Sequence, residues 1–241
     1  MRIFLIEKSI QHPFLLEMKN ASPPPSPSSA PSSLFDVGLL LNAVHFAAIK
    51  HRDQRRKNAV QAPYINHPIG VAAILWGQGG VRDIEVLQAA VLHDTIEDTD
   101  ATWEELVNVF GESVANIVRE VTDDKSKRKD ERKRFQVQHV KHVSTKAKLV
   151  KLADKLYNTR DLMELPPAAW DVKRIQGYFV WTKTIVDSIR GTNAPLEKEL
   201  DKVFCGQFKH TDGKAYPTIP QGVDLAEFLE EYYRSMRSAD N

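Results

Sequence analysis

The sequence predicts an all-α fold, and three observations carry that expectation. Apolar residues recur at helical spacing from about Leu34 to Phe204, continuous β-branched runs with period-two alternation are missing, and the punctuation between apolar stretches resembles helix ends. Leu40, Val44, Ala47 and Ala48 open the pattern; Val86, Ala89 and Ala90 continue it; Val114, Ile117, Val118 and Val121 repeat it. Gly77, Gly79 and Gly80 close one stretch, and Pro166 and Pro167 close another. Thr102 followed by Glu105 forms a capping-box pattern, which predicts a short helix running to Gly111.

Three regions follow from composition. Residues 1–33 form an N-terminal extension whose SPPPSPSSAPSS stretch holds only Ser, Pro and Ala, side chains unable to build a core, so it reads as an extended linker. Residues 34–205 carry the helical pattern. Residues 206–241 begin with a turn-rich stretch and end in an amphipathic helix, with Leu225, Phe228, Leu229 and Tyr232 at i, i+3, i+4 and i+7. That stripe is expected to pack back on the domain, with partner binding as the alternative.

A chain of 241 residues supports one well-buried core with appendages. Its net charge of +1 excludes the global basic field that retains nucleic acid non-specifically. The basic runs also lack interleaved aromatic stacking residues, so neither RNA nor DNA is an expected partner. The lone Cys205 excludes an internal disulfide and a cysteine-built zinc site and fits a reducing, cytoplasmic setting. No stretch approaches the roughly 20 apolar residues that cross a bilayer, and Glu7 and Lys8 interrupt the opening apolar run. A mitochondrial presequence is the minority alternative, with Glu7 and Glu17 against it.

The strongest chemical signal is VLQAAVLHDTIEDT, where an apolar helix suddenly presents His93, Asp94, Glu97 and Asp98. If the helix continues, these residues pair at i and i+4 on one broad side. Carboxylates crowded beside an imidazole at a packed helix end repel one another unless a cation intervenes. His67 stands immediately before Pro68, a residue that favours the first turn of a helix, so its position is fixed. Asp154 lies beside the stripe Leu149, Leu152, Ala153 and Leu156, with Asn158 facing the same way at i+4. Two imidazoles and two carboxylates make a nitrogen and oxygen donor set suited to Mn²⁺, Fe²⁺ or Zn²⁺, with positions left for water or phosphate. His12, His45, His51, His139, His142 and His210 lack a comparable carboxylate cluster and read as ordinary surface or packing histidines.

Two basic clusters can receive phosphate. KHRDQRRK at 50–57 carries five Lys or Arg against one Asp, and 123–134 carries seven against four acids. Arg56 and Lys57 precede PYINHP closely, which puts them near His67; Lys129 is the choice in the second cluster.

Taken together, PYINHP, LHDTIEDT and KLADKLYNTRDL resemble the hydrolase domain of the RelA/SpoT family in the HD superfamily, most of all its stand-alone metazoan branch. The resemblance runs from about Leu34 to Phe204. It implies a helical bundle of roughly ten helices and Mn²⁺-dependent release of pyrophosphate from the 3′ position of (p)ppGpp. It implies His67, His93, Asp94 and Asp154 as ligands of one Mn²⁺ ion, and Glu97 and Asp98 as the catalytic pair that positions water and shuttles protons. It implies Arg56, Lys57, Asn158, Arg174 and Tyr178 as nucleotide contacts. Asp161 departs from the pattern, standing where bacterial relatives usually carry Thr. No synthetase domain is recognisable. The expected partner is a small nucleotide, with neither nucleic acid nor membrane, and a homodimer is a further expectation. The alternatives are a phosphatase of another nucleotide, such as removal of the NADPH 2′-phosphate, and a catalytically silent nucleotide sensor.

Overall fold

A computed structural model describes residues 32–57 and 60–237. The expected leader of residues 1–33, with its linker and His12, lies outside the described residues except for Ser32 and Ser33, which open the first helix.

Eleven α-helices make up most of the described chain: α1 (Ser32–Lys50), α2 (Asn66–Gly77), α3 (Ile84–Leu92), α4 (Thr95–Asp98), α5 (Trp103–Phe110), α6 (Glu112–Val121), α7 (Lys129–His139), α8 (Thr145–Glu164), α9 (Val172–Ser188), α10 (Ala194–Phe204) and α11 (Leu225–Arg237). The all-α expectation holds. The difference is a two-stranded antiparallel hairpin, β1 (Gln207–Lys209) and β2 (Ala215–Pro217), inside the turn-rich stretch. Strands of three residues are too short to show alternation in a sequence.

Two helices organise the core. Helix α3 is buried from Val86 to Leu92, and it packs against α1, α2, α6 and α8. A helix apolar on all sides is stable only when enclosed, and each fully buried Leu or Val contributes about 1.5–3 kcal/mol. Helix α8 crosses the same centre with Leu152, Ala153 and Leu156 buried, beside α2, α3, α6 and α10. Side-chain caps fix the starts of several helices: Asp83 accepts from the Glu85 amide, Thr102 from Glu105, Ser144 from Ala147 and Asp171 from Arg174. The Thr102 helix ends at Gly111 in a positive-φ turn of 83°, as its sequence pattern predicts.

The C-terminal helix packs back on the bundle, against α7 and α9. Tyr232, Tyr233 and Met236 are buried, so the docked stripe lies toward the C-terminal half of α11. The Arg134 guanidinium donates both of its terminal nitrogens to Glu230 at 2.6 Å, and Arg237 donates to the buried Asp130 at 2.6 Å. Gly177 on α9 permits the contact, because a Cβ there would overlap the Tyr232 ring. Gly70 likewise lets α2 lie against Tyr157 of α8, which brings His67 and Asp154 to one place.

Candidate metal centre and nucleotide cavity

Three chain segments converge on one buried point. His67 comes from the first turn of α2, one residue past the helix start at Asn66. His93 and Asp94 come from the junction of α3 and α4, and Asp154 from the middle of α8. The one-helix expectation for His93 to Asp98 needs correction here: α3 stops at Leu92, Asp94 takes φ −98° and ψ −2°, and a separate short turn, α4, carries Glu97 and Asp98. The Thr95 hydroxyl donates to the Leu92 carbonyl at 2.7 Å and satisfies the interrupted ladder. The break swings both His93 and Asp94 toward His67.

The donor atoms crowd together. His67 Nε2 lies 3.2 Å from His93 Nε2 and 3.2 Å from Asp154 Oδ1. Asp94 Oδ2 lies 3.5 Å from His67 Nε2 and 3.1 Å from His93 Nε2, and His93 Nε2 is 3.7 Å from Asp154 Oδ1. His67, His93 and Asp154 alone form a group able to hold a metal ion, with ligand atoms within 4.8 Å of one another; Asp94 reaches both imidazoles from the side. Ligands about 2.1 Å from a shared ion sit about 3.0–3.4 Å apart at right-angled or tetrahedral positions, so the observed spacings suit one cation.

The hydrogen-bond directions agree. His93 Nδ1 donates to the Ala90 carbonyl at 2.8 Å, which turns the Nε2 lone pair toward the carboxylates. Burial disfavours a charged His93, but Asp94 and Asp154 outweigh it and push the imidazole up to about 10. Burial holds His67 below its usual value, while burial of Asp94 is outweighed by His93, which keeps that carboxyl well below the ordinary range. A proton on His93 relieves one of these contacts; a divalent cation relieves all of them at once. The residues therefore fit such an ion.

In metal-free protein, the raised His93 contributes stability that is fully present below its ordinary 6.5 and is lost as pH rises toward about 10. A bound cation takes the proton's place. The gain in melting temperature on adding a divalent cation should therefore widen from pH 6.5 upward. A gain that stays flat over that range contradicts the assignment.

Outer contacts fix the two carboxylate ligands. Tyr64 donates its hydroxyl to Asp94 Oδ2 at 2.6 Å; Lys155 donates to Asp154 Oδ2 at 2.9 Å, and Asn158 to Asp154 Oδ1 at 2.6 Å. The Arg56 guanidinium spans Asn158 Oδ1 at 2.8 Å and Asp161 Oδ2 at 2.7 Å. Asp161, the departure noted in the sequence, thus anchors Arg56. Tyr64→Phe removes one such support, and an apparent metal affinity about 10–100-fold weaker is the expected result of a metal titration.

Glu97 and Asp98 line the same cavity of about 170 Å³ as the four ligands. Burial first, then the Asp123 and Asp94 charges, push Glu97 up to about 7. Its Oε2 accepts from the Asp123 amide at 3.1 Å. Asp98 accepts from Gln54 at 3.0 Å and pairs with Lys125. Arg56, Tyr64, Asp98 and Asn158 form a common wall with a second cavity of about 380 Å³. That second cavity takes in all six sequence-predicted substrate residues, Arg56, Lys57, Lys129, Asn158, Arg174 and Tyr178.

Sequence reasoning missed several residues of this site. Tyr64, Lys151, Lys155 and Asp123 line the smaller cavity; Lys133, Trp170, Tyr232 and Met236 line the larger one. His51 is buried, as a packing histidine should be, and its ring lies tilted against Tyr64 with centroids 4.9 Å apart. His210 on the hairpin donates Nε2 to the Trp170 carbonyl at 3.1 Å and so steadies the cavity rim.

The region that carries His67, His93, Asp94 and Asp154 matches known proteins. A family model for the HD domain matches residues 43–181, and the MESH1 protein of Xenopus tropicalis is 56% identical over 172 residues, 71% of this chain and 96% of its own length. The chain belongs to the HD-domain family, among the MESH1 proteins. The human MESH1 is 56% identical over 169 residues, 70% of this chain and 94% of its own. Both relatives are named guanosine-3′,5′-bis(diphosphate) 3′-pyrophosphohydrolases. A solved structure described as a metazoan ortholog of SpoT that hydrolyzes ppGpp superposes with a TM-score of 0.68 at 48% identity, over 73% of this chain and 97% of that one. This HD-domain protein therefore shares its helical architecture with that hydrolase. Among its described residues no helix is long and apolar enough to cross a membrane.

Proposed function

We propose that the protein is a Mn²⁺-dependent (p)ppGpp 3′-pyrophosphohydrolase, converting the nucleotide to GDP or GTP and pyrophosphate. The observation that carries this is the pairing of a buried two-imidazole, two-carboxylate cluster with a basic, aromatic-lined cavity across one common wall. A cavity of about 380 Å³ falls in the range of small-molecule sites. The hydrolases named above supply the substrate class.

His67, His93, Asp94 and Asp154 would hold the ion, whose role is to acidify water and polarise a phosphoryl oxygen. Glu97, poised near 7, accepts the proton of the attacking water, and Asp98, fixed by Gln54, orients that water. Attack falls on the phosphorus bonded to the 3′ oxygen. The bond from that phosphorus to the 3′ oxygen breaks, and the freed ribose oxygen takes up a proton. Arg56, Lys57 and Lys129 offset charge on the phosphates, and Arg174, Tyr178 and Asn158 hold the nucleoside end. The unpaired, exposed Cys205 fits a cytoplasmic setting.

A substrate panel in ¹⁸O water tests the reaction. The expected result is turnover of (p)ppGpp with label in pyrophosphate. A far larger kcat/KM for NADPH would transfer the assignment to 2′-phosphate removal; tight nucleotide binding without turnover would make the protein a sensor.

A further inference from the structure

Among the described residues Lys133 has no carboxylate at ion-pairing distance, and the Asp123 charge reaches it only through space. It lies on α7 and lines the larger cavity, not the metal-site cavity. Its Nζ sits 3.1 Å from the centre of the Trp181 ring, 4.8 Å from that of Tyr178 and 5.6 Å from that of Tyr232. Among the described residues no carboxylate pairs with it, and aromatic faces leave its three N–H donors without strong acceptors. Lys155 shares the Trp181 ring at 4.6 Å, but that lysine is bound to Asp154. Burial first, then the Lys155 and Lys129 charges, push Lys133 well below the ordinary lysine range. The cage is also rigid, because the Trp181 indole donates to the Lys133 carbonyl at 3.1 Å.

We infer that Lys133 is the receptor for the 5′-phosphate group of the nucleotide, the end remote from the reacting 3′-diphosphate. This rests on the proposed reaction, which puts the 3′-diphosphate at the metal cluster and leaves the other end in the cavity beyond Arg56 and Asn158. A compact ammonium, held in place by rings before the ligand arrives, suits a phosphate and loses little freedom on binding it. The phosphate supplies the directly paired counter-charge that the described residues do not. Lys133 thereby becomes a specificity residue for nucleotides phosphorylated at both ends.

Lys133→Met keeps the alkyl stem against the rings and removes the charge; Lys133→Gln is a second uncharged variant, with circular dichroism checking the fold of each. Both should lower kcat/KM for guanosine 3′,5′-bis(diphosphate) by about 10–100-fold, chiefly through KM, and leave guanosine 3′-diphosphate unaffected. Lys133→Arg should recover part of the loss. Equal losses on both substrates, or no loss, overturn the inference. Calorimetric titration with GDP and guanosine gives a readout apart from turnover: the uncharged variants should lose GDP affinity by the same factor and keep that for guanosine. Wild-type protein that binds GDP yet fails to cleave the bis(diphosphate) overturns the proposed reaction, whereas GDP affinity indifferent to Lys133 overturns the role of Lys133.

Discussion

Glu97→Gln lowers kcat by about 10²–10⁴-fold, the range in which a positioned proton-transfer group acts, and leaves metal binding in place. The amide keeps the size of the side chain and can still accept from the Asp123 amide, so the fold is preserved. The pH profile identifies the role. With the carboxyl raised to about 7, a base is competent only above that value, so activity falls on the acid side. A cation that neutralises Asp94 removes one of the charges that raise Glu97, which moves the inflection below 7 in loaded enzyme. The acid limb disappears in Glu97→Gln. A variant that keeps the wild-type rate and inflection shows that the proton goes elsewhere.

Asp154→Asn combines two losses. It removes a ligand, and it strips the buried Lys155 of the carboxylate that receives it at 2.9 Å. Burial lowers Lys155 in isolation, but Asp154 outweighs that and holds the ammonium above its usual range. Breaking such a pair costs about 3–5 kcal/mol, because the remaining charge stays buried. Activity should fall below detection, and the melting temperature should drop by about 2–4 °C per kcal/mol for a domain of this size. Asp154→Asn with Lys155→Met should regain much of that stability and none of the activity. Equal stability of the single and double variants would contradict the pairing.

How much was legible follows from where the physics is local. His93 and Asp94 stand out in the sequence because polar groups end an apolar helical run, a pattern that burial makes costly unless something binds them; His67 stands out by its fixed place before Pro68, and Asp154 by its place beside an apolar stripe. The break between α3 and α4 does not stand out. It depends on Tyr64, from 30 residues away, holding Asp94 Oδ2, and on Thr95 satisfying the Leu92 carbonyl. Lys151 and Lys155 flank the apolar stripe of α8 and resemble solvated helix residues; only the fold shows one capping the Val121 carbonyl at 2.8 Å and the other bound to Asp154. The stripe on α11 was readable, but its place beside the cavity was not, since that turns on Gly177 leaving room for Tyr232. Arg56 and Lys57 are singled out by their nearness to PYINHP, whereas Lys133 is distinguished only by its rings.

If one divalent cation at His67, His93, Asp94 and Asp154 serves hydrolysis of (p)ppGpp, turnover must depend on that ion and on its ligands. The measurement that tests it most directly is pyrophosphate release by metal-stripped protein with and without added Mn²⁺, with Asp94→Ala alongside. Release that requires Mn²⁺ and vanishes in the variant is the predicted result; release without added metal, or undiminished in Asp94→Ala, would contradict it.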